Sequence, residues 1–303
     1  MRITILFAFL TLSLTFACKK TGSPEQQEVT EAIKAYDLAP SDSAATLAYT
    51  NFDKYLTAKG FGEPSTPELL LEMARIASAQ KEYARAFGYY KDYLVQYPDR
   101  PDQDDRLYDA ISNAENLASP ELNDILYKSY ETRFQNDSRT SSLTTKIQQK
   151  DIPADSILKF IGMNMFNDST FRLNEPKAHL YILACEAAVM ANPNIPNAAE
   201  FLSRAAETAT TLRDIPKALE LYNWIIEKYP THPRASMALF LKAFTYDNEM
   251  NDLDAAKKYY AEYLEKYPND EYAESAKFLI QNLGKSDEEL IKMLQKDTTK
   301  IVQ

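Results

Sequence analysis

With 303 residues, 45% of them hydrophobic, the chain is long enough to bury a sizeable core, and its 6 glycines and lack of β-branched runs exclude a strand-rich fold. A formal charge of −10 and a pI of about 4.9 exclude the basic footprint of a nucleic-acid binder, since no Lys/Arg block longer than a pair such as Lys19-Lys20 occurs. An acidic surface of this kind keeps a chain soluble and favours basic partners.

Met1-Arg2 gives a positive start, and Ile3 to Phe16 is an apolar run too short to remain as a membrane-spanning helix. Residues 1–17 therefore read as a targeting segment that is removed. The following Ala17-Cys18-Lys19-Lys20 resembles the end of a bacterial lipoprotein signal, in which the cysteine is lipidated and becomes the new N-terminus. Thr15 and Phe16 stand where leucine and a small residue are usual in that signal. Thr15-Phe16-Ala17 also suits ordinary signal peptidase, which leaves Cys18 a plain residue. The polar run Lys19 to Gln27 favours the lipid anchor at Cys18, with 18–24 as a flexible tether.

An amphipathic helix is expected over Glu25–Leu38 and another over Asp42–Lys59, with Gly60-Phe61-Gly62-Glu63-Pro64 as a break. Thr66-Pro67-Glu68-Leu69 signals a further helix: Thr66 caps, Pro67 occupies the first turn, and Leu70, Met73, Ala74 and Ala77 form the buried stripe. Its partner is Lys81–Tyr97.

That partner begins a pattern occurring three times, in Lys81–Pro98, Arg213–Pro230 and Asn251–Pro268. Counting back from the proline, each copy has Ala at −12 (Ala86, Ala218, Ala256), Tyr at −8 (Tyr90, Tyr222, Tyr260) and Tyr at −1 (Tyr97, Tyr229, Tyr267). Positions −12, −8, −5 and −4 share one stripe of a helix. The small residue admits a partner helix, the ring fills the gap this leaves, and the proline stops the helix. The last two copies lie 38 residues apart in register, the mark of a helical repeat array. These residues resemble the tetratricopeptide repeat (TPR), which implies an all-α, TPR-like superhelical solenoid of antiparallel helix pairs.

Between Pro98 and Pro193 the pattern weakens. Glu121–Phe134 keeps the rings Tyr127, Tyr130 and Phe134 but lacks the Ala and the closing proline, so it reads as a degenerate second helix. The polar run Asn136–Asp155 admits a loop, an ill-packed helix or a hinge. Helices are expected at Ala154–Phe166, Glu175–Ala191 and Asn197–Leu212, and after the last copy at Asp270–Leu283, stopped by Gly284. Ser286-Asp287-Glu288-Glu289 has the capping-box arrangement, and Asp287–Lys296 suits a polar helix closing the end of the array. The domain reading is thus 1–17 signal, 18–24 tether, 25–135 N-terminal helical region, 136–192 degenerate middle, 193–284 C-terminal repeats and 285–303 capping helix and tail.

No constellation for chemistry is expected. His179 and His232 lie on different repeats without Cys or carboxylate at ligand spacing, and no phosphate loop or nucleophile elbow is present. Asp102, Asp104 and Asp105 are candidates for an acid/base pair or a calcium loop. They read better as a solvated loop, because the Gly-centred turn of a calcium loop is missing. Cys185 holds the −8 slot before Pro193 and reads as a packed core residue, with a disulfide to Cys18 as the rival account if Cys18 carries no lipid. The rows Tyr89/Tyr93/Tyr97 and Tyr259/Tyr263/Tyr267 each line one face, either as core or as part of a peptide-gripping groove. No catalytic, cofactor or metal residue is assigned, and no cofactor is expected.

Repeats together with an exported N-terminus resemble two envelope families, the TPR lipoprotein of outer-membrane β-barrel assembly and the periplasmic TPR partner of the Tol–Pal system. The degenerate middle departs from the first, and the short Glu25–Lys59 segment departs from the N-terminal coiled coil of the second. The resemblance implies a non-enzymatic scaffold, lipid-anchored to the bacterial outer membrane on its periplasmic or surface face, that holds protein partners. The alternative is a ligand- or glycan-capturing lipoprotein, against which stands the single Trp224 on the apolar side of a repeat helix.

Overall fold

The computed structural model describes residues 22–60, 64–167, 172–285 and 289, and the chain divides into two units, 1–63 and 64–303. The targeting segment, Cys18 and nearly all of the expected capping helix lie outside the described residues. The first unit is a helix pair, α1 (Pro24–Leu38) and α2 (Asp42–Lys59), where the sequence placed it. Ser23 and Ser41 cap the two helices by accepting the N–H groups of Gln26 and Ala44. Val29, Ile33, Ala48 and Phe52 are buried.

The second unit runs through α3 (Pro67–Ala79), α4 (Tyr83–Gln96), α5 (Gln103–Ala114), α6 (Pro120–Arg133), α7 (Thr140–Lys146), α8 (Ala154–Met163), α9 (Glu175–Ala191), α10 (Ala198–Thr211), α11 (Ile215–Lys228), α12 (Pro233–Asn248), α13 (Leu253–Lys266) and α14 (Ala273–Asn282). Successive helices pack on each other throughout except α7 and α8, and their short turns make neighbours antiparallel. Among the described residues the only departure from helix and turn is one antiparallel bridge, Phe166 to Leu173. The fold is all-α, a TPR-like stack of helix pairs.

The reason lies in the repeated stripe. Ala86, Ala218 and Ala256 are fully buried, and Tyr90, Tyr222 and Tyr260 are buried one turn later, so small residue and ring sit together at each helix contact. At −5 the stripe continues with buried Tyr93, Ile225 and Tyr263. At −4 only Leu94 is fully covered, while Ile226 and Leu264 are half-buried. Every copy ends alike: Tyr97, Tyr229 and Tyr267 have φ of −124, −127 and −131°, which leaves the helix ahead of the proline. Phe134, with φ −123° and ψ 53°, takes the same conformation without a proline, so α6 is the degenerate fourth copy.

The start of each copy is equally regular. Lys81, Arg213 and Asn251 all sit in the left-handed region, with φ of 61, 62 and 51°. The N–H groups of Glu82 and Asp214 close back on the carbonyls of Ala77 and Ala209, each at 2.9 Å. These are Schellman-type closures, which elsewhere favour glycine. Asp214 and Asp252 then cap α11 and α13 by accepting from Lys217 and Ala255.

Several expectations are corrected in detail. Thr66 has extended backbone geometry at the start of α3, but its side chain accepts no capping bond. The last helix starts at Ala273 rather than Asp270, because Asp270 is engaged in the turn by the Tyr263 hydroxyl and the Tyr272 N–H. It ends at Asn282, and Gly284 follows with φ +78°. The helix expected to reach Phe166 stops at Met163 because Phe166 enters the bridge. The polar run 136–155 is not an unattached hinge. It holds α7, packed on α6 with Leu143 buried, and the buried Asp124 of α6 accepts the N–H groups of Gln148 (2.9 Å) and Gln149 (2.8 Å).

Candidate protein-interaction surface

The degenerate middle builds the centre of the second unit. Helix α9 packs against α4, α6, α8 and α10, and nearly every residue from Tyr181 to Ala191 is buried. A helical segment covered on all sides, as 181–191 is, needs no amphipathic stripe, which is why its sequence carries no repeat signature.

Two charged residues accompany this burial. Lys91 on α4 is 6% exposed and Glu186 on α9 is 4% exposed, and they pair at 2.8 Å across 95 positions of sequence. Glu220 on α11 accepts from Lys91 at 2.5 Å, and Lys217 bridges both carboxylates at 2.9 and 2.6 Å. Asp92 lies 3.4 Å from Lys91. Burial works to lower the Lys91 ammonium, but Glu186, Glu220 and Asp92 outweigh it and hold the group well above its ordinary value. Burial likewise works to raise Glu220, and Lys91 and Lys217 outweigh it, bringing the carboxyl down to about 2. Asp92 is raised, chiefly by burial, despite Lys91 beside it. The cluster, two ammonium groups set among three carboxylates, ties α4 to α9 and α11. A cavity of 270 Å³ beside it is walled by Phe87, Gly88, Ile182 and Leu183, with His179 exposed on α9.

The other residues singled out in the sequence are also in structural use. Asp102 accepts the Tyr93 hydroxyl at 2.6 Å and pairs with Arg106. Asp104 and Asp105 pair with Arg139 at 2.9 and 2.7 Å, and Asp137 joins them at 2.6 Å, its carboxyl held far below the usual range by hydrogen bonds from Arg139. Through Arg139, Asp104 and Asp105 anchor the start of α7 to α5, and Asp137 holds the guanidinium in place. His232 caps α12, its Nδ1 accepting the Arg234 N–H at 3.1 Å. Cys185 is free and buried, and burial pushes its thiol well up, as suits an unreactive core residue. Trp224 is buried. Within the tyrosine rows, Tyr93 and Tyr263 are core, whereas Tyr89, Tyr97, Tyr259 and Tyr267 are half-buried. Tyr97 donates to the Ser65 carbonyl and Tyr229 to that of Pro193, so the −1 ring ties each of these copies to the chain ahead of it. Tyr259 stacks on Tyr246 and carries the Lys242 ammonium 3.7 Å from its ring centre. The rows are thus largely packing and linkage.

Sequence reasoning missed a second feature. Phe160, Met163 and Phe166 are exposed to 61, 79 and 45%. Met163 and Phe166 also line a cavity of 570 Å³, with Met165, Leu173 and Tyr181 as apolar wall and Arg204, Glu207 and Lys159 as polar rim. Helix α8 comes close to α9 here because Gly162 lacks a side chain: a Cβ on it would lie 2.8 Å from the Tyr181 ring. The signal was present in the apolar excess of Ile157–Phe166, where outward positions are as apolar as inward ones. Among the described residues no group of three His, Cys, Asp or Glu is placed to hold a metal ion, and no helix is long and apolar enough to cross a membrane.

Residues 68–100 and 237–270 match the tetratricopeptide repeat family model. These stretches correspond to α3–α4 and to most of α12–α13, so both are TPR units, and the chain carries the repeat as a protein-interaction architecture. A crystal structure of a thermophilic TPR protein from Thermus thermophilus is similar over 84% of this chain and 100% of its own, at 17% identity and a TM-score of 0.28. The curated proteins contain no match.

Proposed function

We propose that this protein is a non-enzymatic TPR scaffold that holds other proteins at the bacterial cell envelope, exported by residues 1–17 and anchored in the outer membrane by lipid on Cys18. The observation that carries the binding reading is the apolar surface of Phe160, Met163 and Phe166 over its cavity. The ion cluster supports it further, since Lys91, Lys217, Glu186 and Glu220 are all held in ion pairs between helices. Anchoring is supported by the apolar run ahead of Cys18 and the polar run behind it. A role in envelope assembly follows the resemblance to the β-barrel assembly and Tol–Pal families. Glycan capture gains nothing from Trp224, which is buried.

Two measurements test this. Cys18→Ser should release the protein from the membrane pellet and change its mobility; unchanged fractionation and mobility would end the lipoprotein reading. A pull-down from solubilised envelopes should recover defined protein partners at low ionic strength and less of them at high, because a net charge of −10 contributes to the contact. Recovery of none at either, with saturable glycan binding by the purified chain, would replace the scaffold by a ligand-capturing lipoprotein.

A further inference from the structure

We propose that the 270 Å³ cavity between α4, α9 and α11 receives one lysine side chain of a protein partner, whose ammonium meets the open carboxylate oxygen of Glu186. This rests on the scaffold reading and names the chemistry by which a partner is held. Of the three helices only α4 belongs to a matched repeat, so the repeat match does not assign this site.

The shape suits a long, thin side chain. On α4 and on α9 the lining residues fall at i, i+3, i+4 and i+7, one face of each helix, and the two faces join at the 2.8 Å Lys91–Glu186 pair. Ala84 and His179, at the far ends of these two stripes, are exposed and form the mouth. Between mouth and floor, Phe87, Ile182 and Leu183 give an apolar wall for a lysine's four-carbon stem. The volume of 270 Å³ lies below the roughly 300–1,000 Å³ of pockets that enclose a whole small molecule. That favours one side chain, carried on a chain that stays outside, over a free ligand.

The floor supplies the acceptor. Glu186 is 4% exposed, and Lys91 and Lys217 both donate to its Oε1, at 2.8 and 2.9 Å, while its Oε2 receives no hydrogen bond among the described residues. Glu220, by contrast, divides its two oxygens between the same ammonium groups. An almost buried carboxylate oxygen left open at the end of a cavity calls for a donor from outside. Lys91 and Lys217 also line the cavity and oppose a further cation, but they are outnumbered. Glu186 and Asp214 line it too, and Glu220 and Asp92 pair with those ammonium groups, so four carboxylates face two cations, with His179 neutral at the mouth. The head group follows from the occupied Oε1. A guanidinium binds best through both oxygens of a carboxylate, and with only one available the single-point contact of an ammonium is favoured, which selects lysine over arginine.

The test uses the full chain carrying Cys18→Ser, selected at low ionic strength against displayed random twelve-residue peptides. Enriched peptides should share one lysine. Acetylating its ε-amine should weaken binding at least about tenfold, and replacing it by arginine about fivefold. Glu186→Gln should erase the difference between each peptide and its acetylated form, but that change also disturbs the ion cluster. Gly88→Leu is the independent block: a Cβ on Gly88 meets nothing within 4 Å, so the added side chain fills open space at the cavity wall without straining α4. With thermal unfolding no lower than that of the wild type, it should weaken the peptides at least about tenfold. The proposal is overturned by a selection without a shared lysine, by peptides that bind equally well with arginine or acetyl-lysine, or by binding indifferent to Gly88→Leu. It is equally overturned if spermidine binds at Glu186 while no peptide is enriched, since a free polyamine would then be the occupant. If envelope partners are still recovered with Gly88→Leu at wild-type yield, the scaffold stands and only this site fails.

Discussion

The ion cluster at the junction of α4, α9 and α11 gives the sharpest test of how the second unit is held together. Lys91→Met keeps most of the side-chain volume and removes the ammonium facing Glu186 and Glu220. Breaking a buried pair from one side costs about 3–5 kcal/mol, because the partner stays charged and buried. Lys217 remains 2.9 Å from Glu186 and 2.6 Å from Glu220, so partial neutralisation persists and the lower end, about 3 kcal/mol, is expected. At about 2–4 °C per kcal/mol for a unit of this size, the melting temperature should fall by roughly 6–12 °C. Glu186→Leu alone should cost a similar amount, since it takes away the buried partner of Lys91 and leaves Glu220 to serve both ammonium groups. The double variant should cost clearly less than the sum, as an apolar replacement of a whole pair is often close to neutral. Urea unfolding followed by circular dichroism at constant slope supplies all three values. A loss below about 0.5 kcal/mol for Lys91→Met, or additivity of the two single changes, would show that the pair does not carry the junction.

Three further outcomes are expected. Ala256→Leu and Ala218→Leu should each overpack a helix contact and cost about 1–3 kcal/mol; unmoved thermal unfolding in both would mean the helix-pair register is wrong. The two helical glycines should respond with opposite signs: Gly162→Ala drives a Cβ to 2.8 Å from the buried Tyr181 ring and destabilises, whereas Gly88→Ala meets nothing within 4 Å and should gain up to about 1 kcal/mol of helix propensity, so a shared sign in calorimetry would contradict this geometry. Acid should loosen the junction: the Glu220 carboxyl titrates at about 2 in the folded chain, below its unfolded value, so its contribution is complete above roughly pH 5 and is lost as pH falls towards 2. Asp92, raised by burial, acts in the opposite sense. Stability between about pH 5 and 2.5 should therefore fall less steeply in Lys91→Met than in the wild type, and parallel curves would exclude the cluster as the source.

The sequence by itself determined the helix pairs and their register. Ala at −12 and Tyr at −8 record a contact that recurs between neighbouring helices, and a local contact repeated at fixed spacing is legible in one dimension. The same holds for α1, α2 and α3, whose capping serines and prolines stand next to the helices they start. What only the tertiary structure decided is where the stack departs from repetition. Asn136–Asp155 has no apolar period because its order comes from Arg139 and Asp124, whose bonds reach back to α5 and forward from α6. The left-handed turns at Lys81 and Arg213 carry no glycine to announce them. Nothing in the sequence sets Lys91 and Glu186 apart from other charged residues, and they are buried because the second half of α9 is enclosed by its neighbours, a contact spanning 95 residues. The exposed face at Phe160, Met163 and Phe166 stayed hidden for the converse reason: an apolar residue at helical spacing reads as core, and whether a neighbour covers it is settled by packing between distant segments.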